Sequence, residues 1–357
     1  MFKITIQDNI GLNIIAFDNI YRVAIIIFFM VYISVVIFNY NRTNFIRDVV
    51  TSLINDTNNI DVEILVIKSY INEDIDHFLT DKGIKFFNLM DKKNQSDYIK
   101  CAVEKSRGDV LVFHDDDDQF TPKKIGYINK IFSENKDLGY YHNNFDTIDE
   151  VGNIVKNRNY KTPQFNSLYI KDQEKSMYFN DRIKLLLKVK PDFNSSSIAI
   201  RKSIIEIFKE NYDFNVRPDT FIMIAGLVSE LSLFFDNKIL THYRIYGNNV
   251  STSYNASISR MRNTFMKAFS EGKDIFCYYL RFVENTPYTK YMKIRIANLQ
   301  LAYNFWALQR KYKLSRENFR LILRVDFVHE FGYFLVSLLP SNIKILIMKI
   351  VYKASEN

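Results

Sequence analysis

Four consecutive carboxylates, Asp115-Asp116-Asp117-Asp118, follow the apolar run Val110-Leu111-Val112-Phe113, with His114 between. Adjacent negative charges repel one another, so a cation is their natural compensation, and hard divalent ions take such oxygen ligands. The alternative is a solvated acidic loop that binds nothing, the usual condition of a charge block. The preceding run bears on that choice. It is short and apolar, with the pattern of a strand buried on both faces. Ligands of open α/β sheets bind beyond the carboxyl ends of the strands. These residues therefore predict a metal–diphosphate site at the end of a central strand. Alternate residues of an extended loop share a side, which groups Asp115 with Asp117. Asp116 and Asp118 are left to support them or to face solvent.

The elements that must position this loop alternate in period. Ser34 to Phe38 is β-branched and apolar and predicts a buried strand. Asn39-Tyr40-Asn41-Arg42 makes a polar turn, and Phe45, Ile46, Val49, Val50, Leu53 and Ile54 then mark one helical face. Val62 to Ile67 predicts a second strand, completing a right-handed βαβ unit. Ile84 to Leu89 predicts a third strand and Asn94 to Ser106 a helix. Gly108-Asp109 turns the chain into the strand that ends at the carboxylates. Thr121-Pro122 predicts a new helix with a capping hydroxyl and Pro in its first position.

Composition sets wider bounds. The chain has 357 residues, 47% hydrophobic and 25% charged, enough for a full catalytic domain and a smaller second unit. The formal charge of +8 suits an anionic partner. No Lys/Arg block is dense enough for a nucleic-acid stripe, which argues against nucleic acid. The two cysteines, Cys101 and Cys277, form no framework, so free thiols and a cytoplasmic setting are expected. Near the start, Val23 to Ile33 is uncharged, but Asp18, Asn19 and Arg22 precede it. A membrane span needs about 20 apolar residues, so residues 1–32 are expected to be a hydrophobic extension outside the core fold.

At several points the sequence resembles family 2 glycosyltransferases, which have the GT-A fold. Ser34-Val-Val-Ile-Phe-Asn-Tyr-Asn-Arg42 is similar to that family's opening S-V-V-I-P-T-Y-N-R. Asp115 to Asp118 followed by Pro122 matches its D-x-D-D-x-x-x-P, and Gly108-Asp109 its G-D. Tyr243-Arg244-Ile245-Tyr246-Gly247-Asn248-Asn249-Val250-Ser251 is similar to its Y-R-x-H-x-x-N-x-S. The resemblance runs from about Ile33 to Ser251. There are departures. Lys68 stands where the family has an Asp that meets the nucleotide base, Lys92-Lys93-Asn94 replaces an N-x-G segment, and Tyr246 replaces the His.

The resemblance implies a GT-A domain over residues 33–251, with a Rossmann-like, mixed but mostly parallel sheet flanked by helices. It implies transfer of a sugar from a nucleotide-sugar donor to a glycan, lipid-linked or protein acceptor, by single displacement with inversion. A divalent cofactor, Mn²⁺ or Mg²⁺, would neutralise the leaving diphosphate. By this resemblance Asp117 contacts the metal, while Asp115 meets the metal or the ribose. Asn39, Tyr40, Asn41, Arg42, Asp115 and Asp116 meet the nucleotide, and His242 and Arg244 are candidates for the diphosphate. Asp219, beside Pro218 at a helix start, takes the place of the general base, with Asp213 as rival; the alternative for Asp219 is a charge that stabilises the helix terminus. Ser195-Ser196-Ser197 is a polar turn whose hydroxyls could line the sugar pocket. A nucleotidyltransferase of related fold and a catalytically degenerate binding protein remain the rival readings.

Past Ser251 the spacing turns helical and aromatic, through Ile258 to Phe282, Tyr291 to Tyr312 and Arg316 to Val325. Phe331 to Leu339 and Ile343 to Tyr352 are apolar and too short to span a bilayer. Residues 252–357 are thus expected to be a helical unit that either packs on the catalytic core or in a homodimer, or lies on the cytoplasmic face of a membrane.

Overall fold

The computed structural model describes residues 3–7, 12–19, 22–29, 31–57, 60–90, 95–155, 162–175, 183–207, 218–246, 258–281, 283–284, 286, 288–308, 311–317, 320 and 335–356. Strands β1 (Lys3–Gln7), β2 (Leu12–Asn19) and β3 (Arg22–Phe29) form an antiparallel sheet of their own. The apolar run from Val23 is therefore a strand, in keeping with its Ile and Val content.

The main sheet holds β4 (Ile33–Asn39), β5 (Val62–Lys68), β6 (Lys85–Asn88), β7 (Val110–Asp115), β8 (Gln119–Phe120), β9 (Leu138–Ile148), β10 (Leu168–Ile170), β11 (Ile198–Arg201) and β12 (Ser232–Arg244). Their order is β10-β12-β9-β11-β7-β4-β5-β6, with β8 pairing β12. β7, β4, β5 and β6 are parallel neighbours. β11 runs antiparallel between β7 and β9, and β12 is parallel to β9. The sheet is thus mixed and mostly parallel at its centre, as expected from the sequence.

The helices include α1 (Ile46–Thr57), α2 (Glu73–Asp81), α3 (Gln95–Lys105), α4 (Lys124–Glu134), α5 (Ile183–Val189), α6 (Lys202–Glu206), α7 (Pro218–Val228), α8 (Ile258–Leu280), α9 (Tyr288–Trp306) and α10 (Ser341–Glu356). Every residue of β4 is buried. Its side chains alternate between two cores: Ile33, Val35 and Ile37 share one with Val49, Leu53, Ile75 and Ile128, whereas Val36 and Phe38 share the other with Ile99, Ala102 and Phe221. The sheet is therefore the middle of three layers. Each such buried aliphatic side chain contributes roughly 1.5–3 kcal/mol relative to exposure.

Close approach explains two glycines. A Cβ on Gly108 would lie 2.4 Å from Ser34 N, and one on Gly226 would lie 2.7 Å from Tyr140 Cβ, where α7 crosses β9. One expectation fails at α4. Thr121-Pro122 does not start the helix; it begins at Lys124, after Lys123 turns into the left-handed region at φ 68° with no side-chain cap.

The C-terminal helices pack on the α/β unit. Phe276 and Tyr279 of α8 and Tyr291, Met292 and Ile294 of α9 share one core with Tyr140 and Phe221. Arg295 of α9 forms an ion pair with Asp192 and stands 3.0 Å from its Oδ1. No described helix is long and apolar enough to cross a membrane.

Candidate active site

The register of the parallel strands brings the two key turns together. Phe38 lies opposite Asp115 where β4 pairs β7, and Asp116 N still donates to Phe38 O at 3.2 Å. Counting along the chain, β6-β5-β4-β7 is the third, second, first and fourth core strand, so the order reverses between β4 and β7. That reversal is the switch point at which a crevice opens beyond the strand ends. The Asn39–Arg42 turn leaves one strand there, and the carboxylates leave the other.

Asn41 adopts φ 51°, a left-handed conformation that Asn tolerates, and its N–H donates to Ser69 Oγ at 2.9 Å. The turn then sends Arg42 back over the carboxylates. Its guanidinium forms ion pairs with Asp116 and Asp117, and Nε donates to Asp116 Oδ2 at 3.3 Å. Burial alone would lower the guanidinium's proton affinity; Asp116 and Asp117 outweigh it and raise it. Asn39 is fully buried: its amide donates to Arg42 O at 2.7 Å and to Asp116, and its Oδ1 accepts from the Tyr70 hydroxyl. Tyr40 is 55% exposed and leans on Tyr98.

The carboxylates are held from below. Asp115 is half-buried, with Ser195 Oγ 2.7 Å from both of its oxygens. Its backbone N–H donates to Ser196 Oγ at 2.9 Å. Burial and then the Asp117 charge push the Asp115 carboxyl up to about 7, and the charge of Asp219 adds to this. Asp116 is likewise pushed up to about 7 by burial, against the pull of Arg42. Asp118 is buried, and burial together with Asp117 and Asp115 holds its carboxyl well above the usual range. Its Oδ1 accepts from Arg244 N at 3.0 Å, while Oδ2 is buried without a hydrogen bond. Solvent exposure, one of the roles left open for Asp116 and Asp118, is therefore excluded: each is 1% exposed. The loop curls inward because backbone N–H groups, Asn39 and Arg42 receive these side chains.

Lys124, the first residue of α4, lies beneath the loop, and nothing in its local sequence singles it out. It is fully buried, with Nζ 2.5 Å from Ser196 O and 2.8 Å from Thr241 Oγ1. Burial pulls its ammonium well below the lysine range, and Asp118 opposes this. A lysine at a helix start ordinarily reads as a solvated residue, so its sequence carries no signal of this role. The serine turn was visible only as a polar segment.

The remaining candidates occupy the β12 side. Arg244 Nε donates to Asp117 O at 2.7 Å, and NH1 donates to Asp149 O at 3.0 Å and Glu150 O at 2.7 Å. These bonds place Arg244 as a brace of the acidic loop. His242 Nδ1 pairs with Asp146, its neighbour across β9. The Tyr246 hydroxyl donates to Asp117 Oδ2 at 3.0 Å and accepts from Arg42 NH1 at 2.7 Å. Asp219 sits in the first turn of α7, after Pro218, where Thr220 N donates to its Oδ1 at 2.7 Å. At the departed base position, Lys68 is fully buried, paired with Asp76 and donating to Tyr70 O at 2.6 Å. Asp213 and residues 92–94 and 247–251 lie outside the described residues.

Among the described residues, no three His, Cys, Asp or Glu side chains are grouped to hold an ion. The arrangement fits a different kind of site. Asp115, Asp116, Asp117, Asp118 and Asp219 outnumber Arg42, Arg244 and Lys124. Asp117 Oδ2 takes both Arg42 and Tyr246, and no hydrogen bond from among the described residues reaches Oδ1. Carboxylates of this kind suit a hard divalent cation whose other ligands are phosphate oxygens and water.

Residues 34–208 match the family model described as Glycosyl transferase family 2. An uncharacterized glycosyltransferase of Rickettsia bellii (strain RML369-C) is 31% identical over 133 residues, 36% of this chain and 19% of that protein. The matched segment thus spans about a fifth of the curated relative. Among solved structures, S. aureus TarS 1-349 is similar with a TM-score of 0.48 and 13% identity, covering 86% of this chain and 81% of that one. A second S. aureus TarS structure gives a TM-score of 0.46 and 11% identity, covering 86% and 54%.

Proposed function

From the match of residues 34–208 to the family model described as Glycosyl transferase family 2, we propose that this chain moves a sugar from a nucleotide-sugar donor to an acceptor hydroxyl by a single inverting displacement. The observation that carries the proposal is the meeting of the Asn39–Arg42 turn with the Asp115–Asp118 loop at the sheet's switch point, with the charge of Asp219 felt at Asp115.

In this reading the donor's nucleotide lies against Asn39–Arg42, where the exposed Tyr40 ring offers a stacking face. Asp117 and Asp115 would hold Mn²⁺ or Mg²⁺, which supplies charge neutralisation on the leaving diphosphate. Ser195 and Ser196 fix Asp115, and Arg244 fixes the backbone of Asp117, so the carboxylates are set before the donor arrives. Asp219 takes the acceptor's proton as the acceptor oxygen bonds to the anomeric carbon and the bond to the diphosphate breaks. Its place in the first turn of α7 sets the carboxylate beside the helix's positive end. Glycan, lipid-linked and protein acceptors all fit this chemistry.

Buried Lys68, in place of a carboxylate at the end of β5, favours one rival, a nucleotide-binding protein without catalysis. Transfer or hydrolysis assays on a panel of nucleotide sugars decide between them. The catalytic reading expects metal-dependent turnover with at least one donor. Asp219→Asn should lower kcat by about 10²–10⁴-fold, the contribution of a general base, with donor affinity unchanged. Absence of turnover with every donor, alongside retained nucleotide binding, would support the rival.

A further inference from the structure

Arg42 occupies the carboxylate proposed above to take the metal, and this suggests how the site loads. The guanidinium divides its donors between two acids. Nε and NH2 engage Asp116, which is almost wholly buried. NH1 engages Asp117 Oδ2 and the Tyr246 hydroxyl, which itself donates to the same oxygen at 3.0 Å. The Arg42 carbonyl is tied down separately, by Asn39 Nδ2 at 2.7 Å and the Tyr70 hydroxyl at 2.9 Å. The backbone and the Asp116 half of the fork are thus fixed, whereas the Asp117 half faces the more open acid.

We infer that Arg42 is an exchangeable counter-ion: it neutralises Asp117 in the empty site and passes its NH1 edge to the donor diphosphate when a divalent cation takes that carboxylate. The inference rests on the donor-site reading above. Its physical basis is competition for one carboxylate. A doubly charged ion on Asp117 repels a guanidinium in contact with the same carboxylate. The donor brings negative charge to the adjoining space, and a planar guanidinium pairs well with phosphate oxygens. Asp116 keeps the arginine in place during the exchange, so only one edge of the fork has to change partner. Tyr246 bridges both members of the pair and acts as a positioning residue that favours the empty arrangement.

The consequence is a sign that a purely structural or purely donor-binding arginine would not give. Removing Arg42 should tighten binding of the metal alone while weakening binding of the nucleotide. Mn²⁺ alone, followed by the electron paramagnetic resonance signal of free Mn²⁺ without nucleotide, is the probe for the first effect. Arg42→Gln should bind Mn²⁺ about tenfold more tightly than wild type, the equivalent of one charge-assisted hydrogen bond released. Tyr246→Phe should shift affinity in the same direction by less.

Because Arg42→Gln leaves buried Asp116 without its cation, the double variant Arg42→Gln/Asp116→Asn is measured alongside it, and thermal melting confirms that each is folded. The double variant should show the same tighter Mn²⁺ binding. Asp117→Asn should abolish binding in the wild-type and Arg42→Gln backgrounds. Nucleoside diphosphates added with saturating Mn²⁺ should bind more weakly to the double variant than to wild type. Equal or weaker Mn²⁺ binding in the folded double variant, with Asp117→Asn still abolishing it, would overturn the exchange and leave the donor-site reading standing. Failure of every variant and wild type to bind Mn²⁺ would overturn both.

Discussion

The Ser195 hydroxyl lies 2.7 Å from both carboxylate oxygens of Asp115, although Asp115 ends β7 and Ser195 sits in the turn before β11, 80 residues on. The contact exists because β11 pairs antiparallel with β7, Ala199 opposite Val112, which carries the turn before β11 past the end of β7. Folding the two strands together is thus what completes the acidic loop. Removing the hydroxyl should both loosen the loop and leave Asp115 harder to ionise, since the Ser195 bond lowers that carboxyl against burial. Ser195→Ala is expected to lose about 1.5 kcal/mol of stability in urea unfolding. Its Mn²⁺ affinity should also be weaker, and Ser195→Thr should restore it. A fully stable alanine variant with unchanged Mn²⁺ affinity would refute this role.

Much of this arrangement was legible because the central strands leave the chain few choices. Val110 to Phe113 and Ser34 to Phe38 are apolar on both faces, so each had to lie inside a covered sheet, and the acids after Phe113 had to emerge at an end of it. The N–Y–N–R turn and the acidic loop could be assigned to one site for the same reason. Helix α2 escaped notice because only Ile75 and Leu79 bury themselves in an otherwise polar stretch, too few to mark a periodic face. Lys124 escaped because its burial depends on Ser196 and Thr241, which lie 72 and 117 residues away. The inward turn of Asp116 and Asp118 likewise depends on partners distant in sequence, Asn39, Arg42 and Arg244.

Lys124 provides the second prediction. Its Nζ satisfies Ser196 O and Thr241 Oγ1 and opposes the charge of Asp118. Methionine keeps the stem and removes the ammonium, so Lys124→Met takes a buried charged donor from Ser196 O and Thr241 Oγ1 and removes the cation that opposes Asp118. The expected cost is about 1.5–3 kcal/mol, as for a hydrogen bond to a charged group. Urea denaturation measures it. Lys124→Met/Asp118→Asn should recover part of the loss, and a single variant as stable as wild type would show that Lys124 does not compensate Asp118.

The buried His142 gives a pH prediction. Its Nε2 lies 2.9 Å from Phe193 O, and burial lowers its pKa from 6.5 to about 4. Between these values the unfolded chain binds the proton and the folded chain does not. The stabilisation from neutral His142 is therefore complete above about pH 6.5 and is lost as pH falls towards 4. The raised carboxyls of Asp115 and Asp116 act in the opposite sense, because there the folded state holds the proton. The informative quantity is thus a difference between variants. From pH 7 to 4, wild type should lose up to about 3 kcal/mol relative to His142→Gln. Parallel stability curves for the two proteins would contradict the assignment.

The most direct test of the donor site is a thermal-shift panel of nucleoside diphosphates with and without Mn²⁺, run on wild type and on Asp117→Ala. The site described here predicts that at least one nucleotide raises the Tm of wild type only when Mn²⁺ is present, and that Asp117→Ala abolishes that increment. With ligand at 100 times its Kd, the stabilisation should be about 2.7 kcal/mol. No metal-dependent shift with any nucleotide, or a shift that survives in Asp117→Ala, would contradict it.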